Sequence, residues 1–217
     1  MSRRTHETAE SHSGGRKIAI SRGKLIIISG PSGAGKSTVV FRAIEGRQDV
    51  CFSTSVTTRA PRPGEQHGRE YFFITQERFD EMAAAGELLE HAGYVNHSYG
   101  TPRAYVEQQL EKGFHVILDI EIQGARQVRE KMPEAVSVFI VPPSITELRH
   151  RLETRGTDTK EVIDARIARA RQEIQEADFY DYLIVNDDAA LAADRFRAIL
   201  TAEQCRFDRP TLLRLAE

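Results

Sequence analysis

Leu25-Ile26-Ile27-Ile28-Ser29-Gly30-Pro31-Ser32-Gly33-Ala34-Gly35-Lys36-Ser37-Thr38 is the stretch on which the fold turns. It opens on an uninterrupted apolar run, the pattern of a strand buried on both faces of a parallel sheet. It passes directly into Gly30-Pro31-Ser32-Gly33-Ala34-Gly35-Lys36-Ser37, which satisfies the phosphate-loop pattern G-x-x-x-x-G-K-[ST]. The pattern then predicts a helix over about residues 36–45. Glycines let the backbone curl its N–H groups into one cavity, and the helix N-terminus adds partial positive charge. Lys36 is placed to reach the β- and γ-phosphates of a nucleoside triphosphate, and the Ser37 hydroxyl to ligate Mg2+. A phosphate loop specifies the triphosphate and leaves kinase, GTPase and motor open.

Further along the chain, His115 to Ile120, Ala135 to Val141 and Tyr182 to Val185 repeat the buried-strand pattern. Helices are predicted over 103–112 and 121–131, and Ala192, Phe196, Ile199 and Leu200 form an i, i+4, i+7, i+8 stripe. Strands alternating with helices predict an α/β fold with a parallel sheet flanked by helices. Two stretches break the alternation. Residues 55–101 are rich in Thr, Arg, Pro, Gly and aromatics and read as an inserted lobe. Residues 145–171 read as a pair of arginine-rich helices. The core is then expected over 23–54, 102–144 and 172–206, with a polar, basic, disordered tail over 1–22 and an extension over 207–217.

Composition narrows the function classes. In 217 residues, 30 Lys and Arg stand against 32 Asp and Glu, a net charge of −2 that argues against a nucleic-acid wrapping role. No apolar run approaches the roughly 18 residues of a membrane span, and no hydrophobic leader opens the chain. Cys51 and Cys205 fit neither a metal nor a disulfide spacing. A cytoplasmic location is expected, with no nucleic-acid or membrane partner. Whether the chain is a monomer or a homo-oligomer is left open. The charge is uneven: residues 149–171 hold six Arg and one Lys against four acids, which suits a lid over phosphates.

The acceptor decides among the phosphate-loop classes. In Thr58-Arg59-Ala60-Pro61-Arg62-Pro63-Gly64-Glu65 the prolines bias Ala60 and Arg62 toward extended backbone. A polyproline-like turn of three residues then faces Arg59 and Arg62 the same way, as a fork for a phosphomonoester dianion. Tyr71 and Tyr99 are candidate hydroxyl donors. Glu90 has no role that periodicity alone assigns.

Together these motifs resemble guanylate kinase over about residues 23–206. The matching pieces include Ser29 through Thr38, Ser55 through Arg62 with Gly64-Glu65, and Gly68-Arg69-Glu70-Tyr71-Phe72-Phe73. Tyr99-Gly100-Thr101, Leu118-Asp119-Ile120-Glu121-Ile122-Gln123-Gly124-Ala125, Arg155-Gly156-Thr157-Asp158 and Ile184-Val185-Asn186-Asp187-Asp188 follow in order. The resemblance implies transfer of the γ-phosphoryl group of ATP to GMP, and to dGMP, with Mg2+ as cofactor. ATP would lie on Gly30, Pro31, Ser32, Gly33, Ala34, Gly35, Lys36, Ser37 and Thr38, with Arg151 packing on adenine and Asn186 contacting the same base. Lys36, Arg155 and Arg166 would serve the transferring phosphoryl, and Ser37 and Asp119 the metal. GMP would be held by its phosphate on Arg59, Arg62, Tyr71 and Tyr99, and by its base on Ser55, Glu90, Thr101 and Glu121. The lobe over 55–101 would thus bind GMP. Many members carry Asp where this chain has Glu121, one methylene longer.

Three other readings stand beside this one. A non-catalytic guanylate-kinase-like protein-binding module typically lacks an intact phosphate loop, which this chain has. A regulatory GTPase needs an Asn-Lys-x-Asp signature, which it lacks. A small kinase for another phosphorylated acceptor is separated only by testing acceptors.

Overall fold

The computed structural model describes residues 22–214 other than 95, 157 and 208. The expected tail therefore lies, but for Arg22, outside the described residues, as do Thr157 of the arginine motif and part of the C-terminal extension.

Strand β1 (Leu25–Ser29) is buried along its whole length and forms the middle of a five-stranded sheet. The sheet is parallel throughout, in the order β2 (Val50–Phe52), β7 (His115–Asp119), β1, β8 (Val136–Val141), β9 (Tyr182–Val185). A strand flanked on both sides and covered on both faces must be apolar at every position, which explains the unalternating Leu-Ile-Ile-Ile run. Ile26 and Ile28 point into one layer with α1 (Lys36–Ile44) and α7 (Ala189–Gln204), around Val39, Val40, Phe196 and Leu200. Leu25 and Ile27 point into the other, with α3 (Arg103–Glu111) and α4 (Ile122–Lys131), around Val106, Leu110, Ala125 and Val128. The helices of the sequence reading thus cover opposite faces of one sheet. Strand β2 was not anticipated, because three residues are too few to establish a period.

Residues 55–101 carry most of a second sheet, ordered β4 (Tyr71–Phe73), β3 (Ser55–Thr57), β6 (His97–Pro102), β5 (Leu88–Tyr94). Phe79 of α2 (Gln76–Ala84) closes a small core there with Val56 and Leu88. The arginine-rich helices are α5 (Ile145–Arg155) and α6 (Lys160–Gln175), the second running past the expected end at 171. They have a core of their own, Leu148, Leu152, Ile163, Ile167 and Ala170. Leu148 and Leu152 also press on the phosphate loop: a β-carbon at Gly33 would lie 3.0 Å from each. A short α8 (Arg209–Arg214) follows α7. Among the described residues, no helix is long and apolar enough to cross a membrane.

Candidate active site

The phosphate loop leaves the C-terminal end of β1, the edge of a parallel sheet where ligands of α/β proteins bind. Gly35, at φ 86°, ends the loop in left-handed backbone and caps α1. The first-turn N–H groups of that helix are left for an anion. Lys36 folds back, its ammonium donating to the Gly30 carbonyl at 2.7 Å.

A cavity of about 560 Å³ opens over this loop, lined by Lys36, Ser37 and Thr38, by Asp119 and Glu121, and by Arg155 of α5 and Arg166, Arg169 and Glu173 of α6. Four cations face three carboxylates there, with the helix end adding to the positive side. Arg166 reaches across to the loop, donating to the Ser32 hydroxyl at 3.3 Å, and pairs with Asp158 at 3.4 Å. Asp119, at the end of β7, is exposed and opens onto the cavity. Desolvation by the protein beneath its carboxyl raises its pKa, and the nearby Lys36 pulls the other way. Asp119 is not a helix cap, since Glu121 takes the N-cap position of α4.

Arg151 and Asn186 meet behind the loop. The Asn186 amide donates to the Ala34 carbonyl at 2.7 Å, and Arg151 donates to the Asn186 carbonyl at 3.0 Å while Glu147 holds its Nε at 2.7 Å. A second cavity, of about 490 Å³, runs along Arg151, Asn186, Gly35 and Thr38.

The acceptor candidates assemble on the second sheet. Strand pairing puts Ser55 opposite Tyr71 and Thr57 opposite Tyr99. The Tyr71 and Tyr99 rings are 6.0 Å apart edge to face, and the Arg59 guanidinium lies 5.5 Å over Tyr71. Arg59 is also gripped by Glu65, in a two-pronged pair at 2.9 and 3.0 Å. The Glu65 carboxylate accepts the Arg62 backbone N–H at 2.7 Å, and the Arg59 bonds with this one hold its pKa down. The extended run therefore ends in a turn at Gly64, where φ is 89°. Arg62 itself is exposed. Glu90 is 7% exposed, and its Oε1 accepts from the Thr101 hydroxyl at 2.6 Å. Burial raises the Glu90 pKa, against the bond from Thr101 and the charge of Lys131.

Glu121 is exposed, and its carboxylate accepts from Arg169 at 2.8 Å. Arg169 and Glu173 were not among the sequence candidates. Their signal was present, because Arg166, Arg169 and Glu173 follow i, i+3, i+7 spacing and so share one face of α6. Glu65 stood in a quoted motif, but its grip on Arg59 across a six-residue turn was not foreseen.

The guanylate kinase family model matches residues 22–203. The chain belongs to the guanylate kinase family. A guanylate kinase from Lactococcus lactis is 50% identical over 188 residues, covering 87% of this chain and 92% of the relative. One from Streptococcus thermophilus is 52% identical over 190 residues, covering 87% and 90%. The crystal structure of guanylate kinase from Anaplasma phagocytophilum superposes with a TM-score of 0.62 at 38% identity, covering 85% of this chain and 87% of that one. The fold is the α/β phosphate-loop NTPase fold of that family, and the chain is a nucleoside monophosphate kinase that transfers phosphoryl from ATP to GMP.

Proposed function

We propose that the cavity over the phosphate loop takes the ATP phosphates and that the second sheet takes GMP. In this reading 55–101 is the acceptor lobe, 145–171 the lid, and 23–54, 102–144 and 172–206 the core. The buried Glu90 carboxylate, one oxygen occupied by Thr101, is the observation that carries it. Guanine offers N1–H and a 2-amino group as paired donors, which a carboxylate accepts together and which adenine lacks. Ser55 and Glu121 complete the base site by family likeness. Arg59, Arg62, Tyr71 and Tyr99 hold the phosphate, and residues 30–38 with Arg151 and Asn186 hold ATP.

Ser37 and Asp119 present hard oxygen donors to one cavity. That donor set fits Mg2+, which binds through one or two protein oxygens together with substrate phosphates. When bound, Mg2+ supplies charge neutralisation to the β- and γ-oxygens.

A GMP phosphate oxygen attacks the γ-phosphorus in line. The new P–O bond forms as the bond to the β–γ bridging oxygen breaks, and ADP leaves. The attacking oxygen is already ionised, so none of the seven histidines is needed as a base. Lys36, Arg155 and Arg166 stabilise the charge spread over the transferring oxygens, and the closing lid excludes water. Purine nucleotide recycling in the cytoplasm is the setting this implies.

Initial rates with GMP, dGMP, AMP, UMP and ribose phosphates at fixed ATP test the reading. GMP, followed by dGMP, is expected to dominate, and preference for any other acceptor overturns it. The clamp has its own test. Glu65→Gln is expected to raise the KM for GMP severalfold with the KM for ATP unchanged, because Arg59 loses its charged, two-pronged anchor.

A further inference from the structure

We propose that Gly124 is a specificity-determining position for the acceptor, its missing side chain leaving the room in which Glu90 holds its carboxylate toward guanine. The proposal rests on Glu90 as the guanine reader.

Gly124 is the third residue of α4 and is buried. Glycine in the body of a helix is less favourable than alanine, since it adds backbone freedom to the unfolded chain and packs nothing. Its backbone is ordinary helix here, with no positive φ to require glycine. The demand comes from across the interface between α4 and β5. A β-carbon on Gly124 would stand 3.1 Å from Glu90 Oε2 and 3.5 Å from Glu90 Cγ. Ile120 Cδ1, also at 3.5 Å, closes another side of that space.

Glu90 has little freedom to withdraw. Its other oxygen is held by the Thr101 hydroxyl at 2.6 Å, and the residue is nearly enclosed. An alanine methyl at 124 would displace Oε2 by a few tenths of an ångström or break the Thr101 bond. Either shift turns the carboxylate plane, and accepting two parallel N–H groups depends on that plane. Gly124 touches neither ATP nor the phosphate of GMP in this reading. It is a positioning residue that acts through Glu90.

Steady-state kinetics of Gly124→Ala, Glu90→Asp and the double variant test this. Gly124→Ala is expected to raise the KM for GMP roughly tenfold, with kcat and the KM for ATP within twofold of the parent. Its melting temperature is expected to be slightly lower, because the methyl crowds an enclosed carboxylate, an effect partly offset by the better helix propensity of alanine. A merely structural role would raise both KM values together. The double variant is expected to show less than the product of the two single effects, since the shorter Asp side chain makes room for the methyl.

An unchanged KM for GMP in Gly124→Ala, with Glu90→Asp impaired, overturns the role of Gly124 and leaves Glu90 as reader. No effect of Glu90→Asp removes the reading itself, and the proposal with it. Both KM values raised together, with simple multiplication in the double variant, makes Gly124 merely structural and also overturns it.

Discussion

Lys36→Ala is expected to lower kcat by roughly a thousandfold or more, while the KM for GMP and the melting temperature stay near those of the parent. The size follows from where the ammonium stands. Lys36 begins α1 and borders the largest concentration of positive charge in the cavity, with Arg155, Arg166 and the helix end. Its contact with the Gly30 carbonyl is a local one that an incoming phosphate can replace. In the transition state charge spreads over the oxygens of the moving phosphoryl, and a preorganised cation there is worth several powers of ten. The fold asks little of Lys36, since the side chain is not part of either core layer. Single-turnover measurement with saturating ATP and GMP checks this. Near-parental kcat in the alanine variant overturns the assignment of the triphosphate site.

Glu90→Gln is expected to lower kcat/KM for GMP by about two to three orders of magnitude, with the rate on AMP, expected to be low, unchanged. The glutamine amide presents a donor where guanine presents donors, so one bond is lost and one repulsion gained. Opposite effects on activity and stability are expected. Burial raises the Glu90 pKa in the folded chain, so folding favours the protonated form. The contribution to stability is present below the unfolded value of about 4.3 and is lost as pH rises through the folded value. Where it is ionised, the buried Glu90 therefore burdens the fold, and the neutral glutamine relieves it. Glu90→Gln should melt higher than the parent at pH 7 and lose that advantage toward pH 4. The KM for GMP of the parent should rise as pH falls through the raised pKa, above the ordinary carboxylate range, and that rise should be missing in the variant. A GMP-to-AMP ratio that survives the substitution removes Glu90 from the base site.

The phosphate-loop half of the candidate site was legible because its pattern needs neighbouring residues. Gly30 through Ser37 lie in one unbroken run, and the strand before and the helix after are contiguous with it. The proposed acceptor half was not, because it is assembled by pairing between strands distant in sequence. Ser55 meets Tyr71 across β3 and β4, and Glu90 meets Thr101 across β5 and β6. Only the family resemblance singled out Glu90. Burial of a carboxylate has no local signature, and nothing near position 90 announces that α4 will pack against it. Arg169 escaped for a related reason, since its partner Glu121 is 48 residues away.

The two leucines of α5 that lie against the phosphate loop tie it to the paired helices α5 and α6. Leu148 and Leu152 belong at once to the small core that holds α5 on α6 and to the surface pressed on Gly33. A side chain shared in this way cannot follow one partner without dragging the other. The shape of the loop at Gly33 and the seating of α5 on α6 are therefore set by the same two side chains.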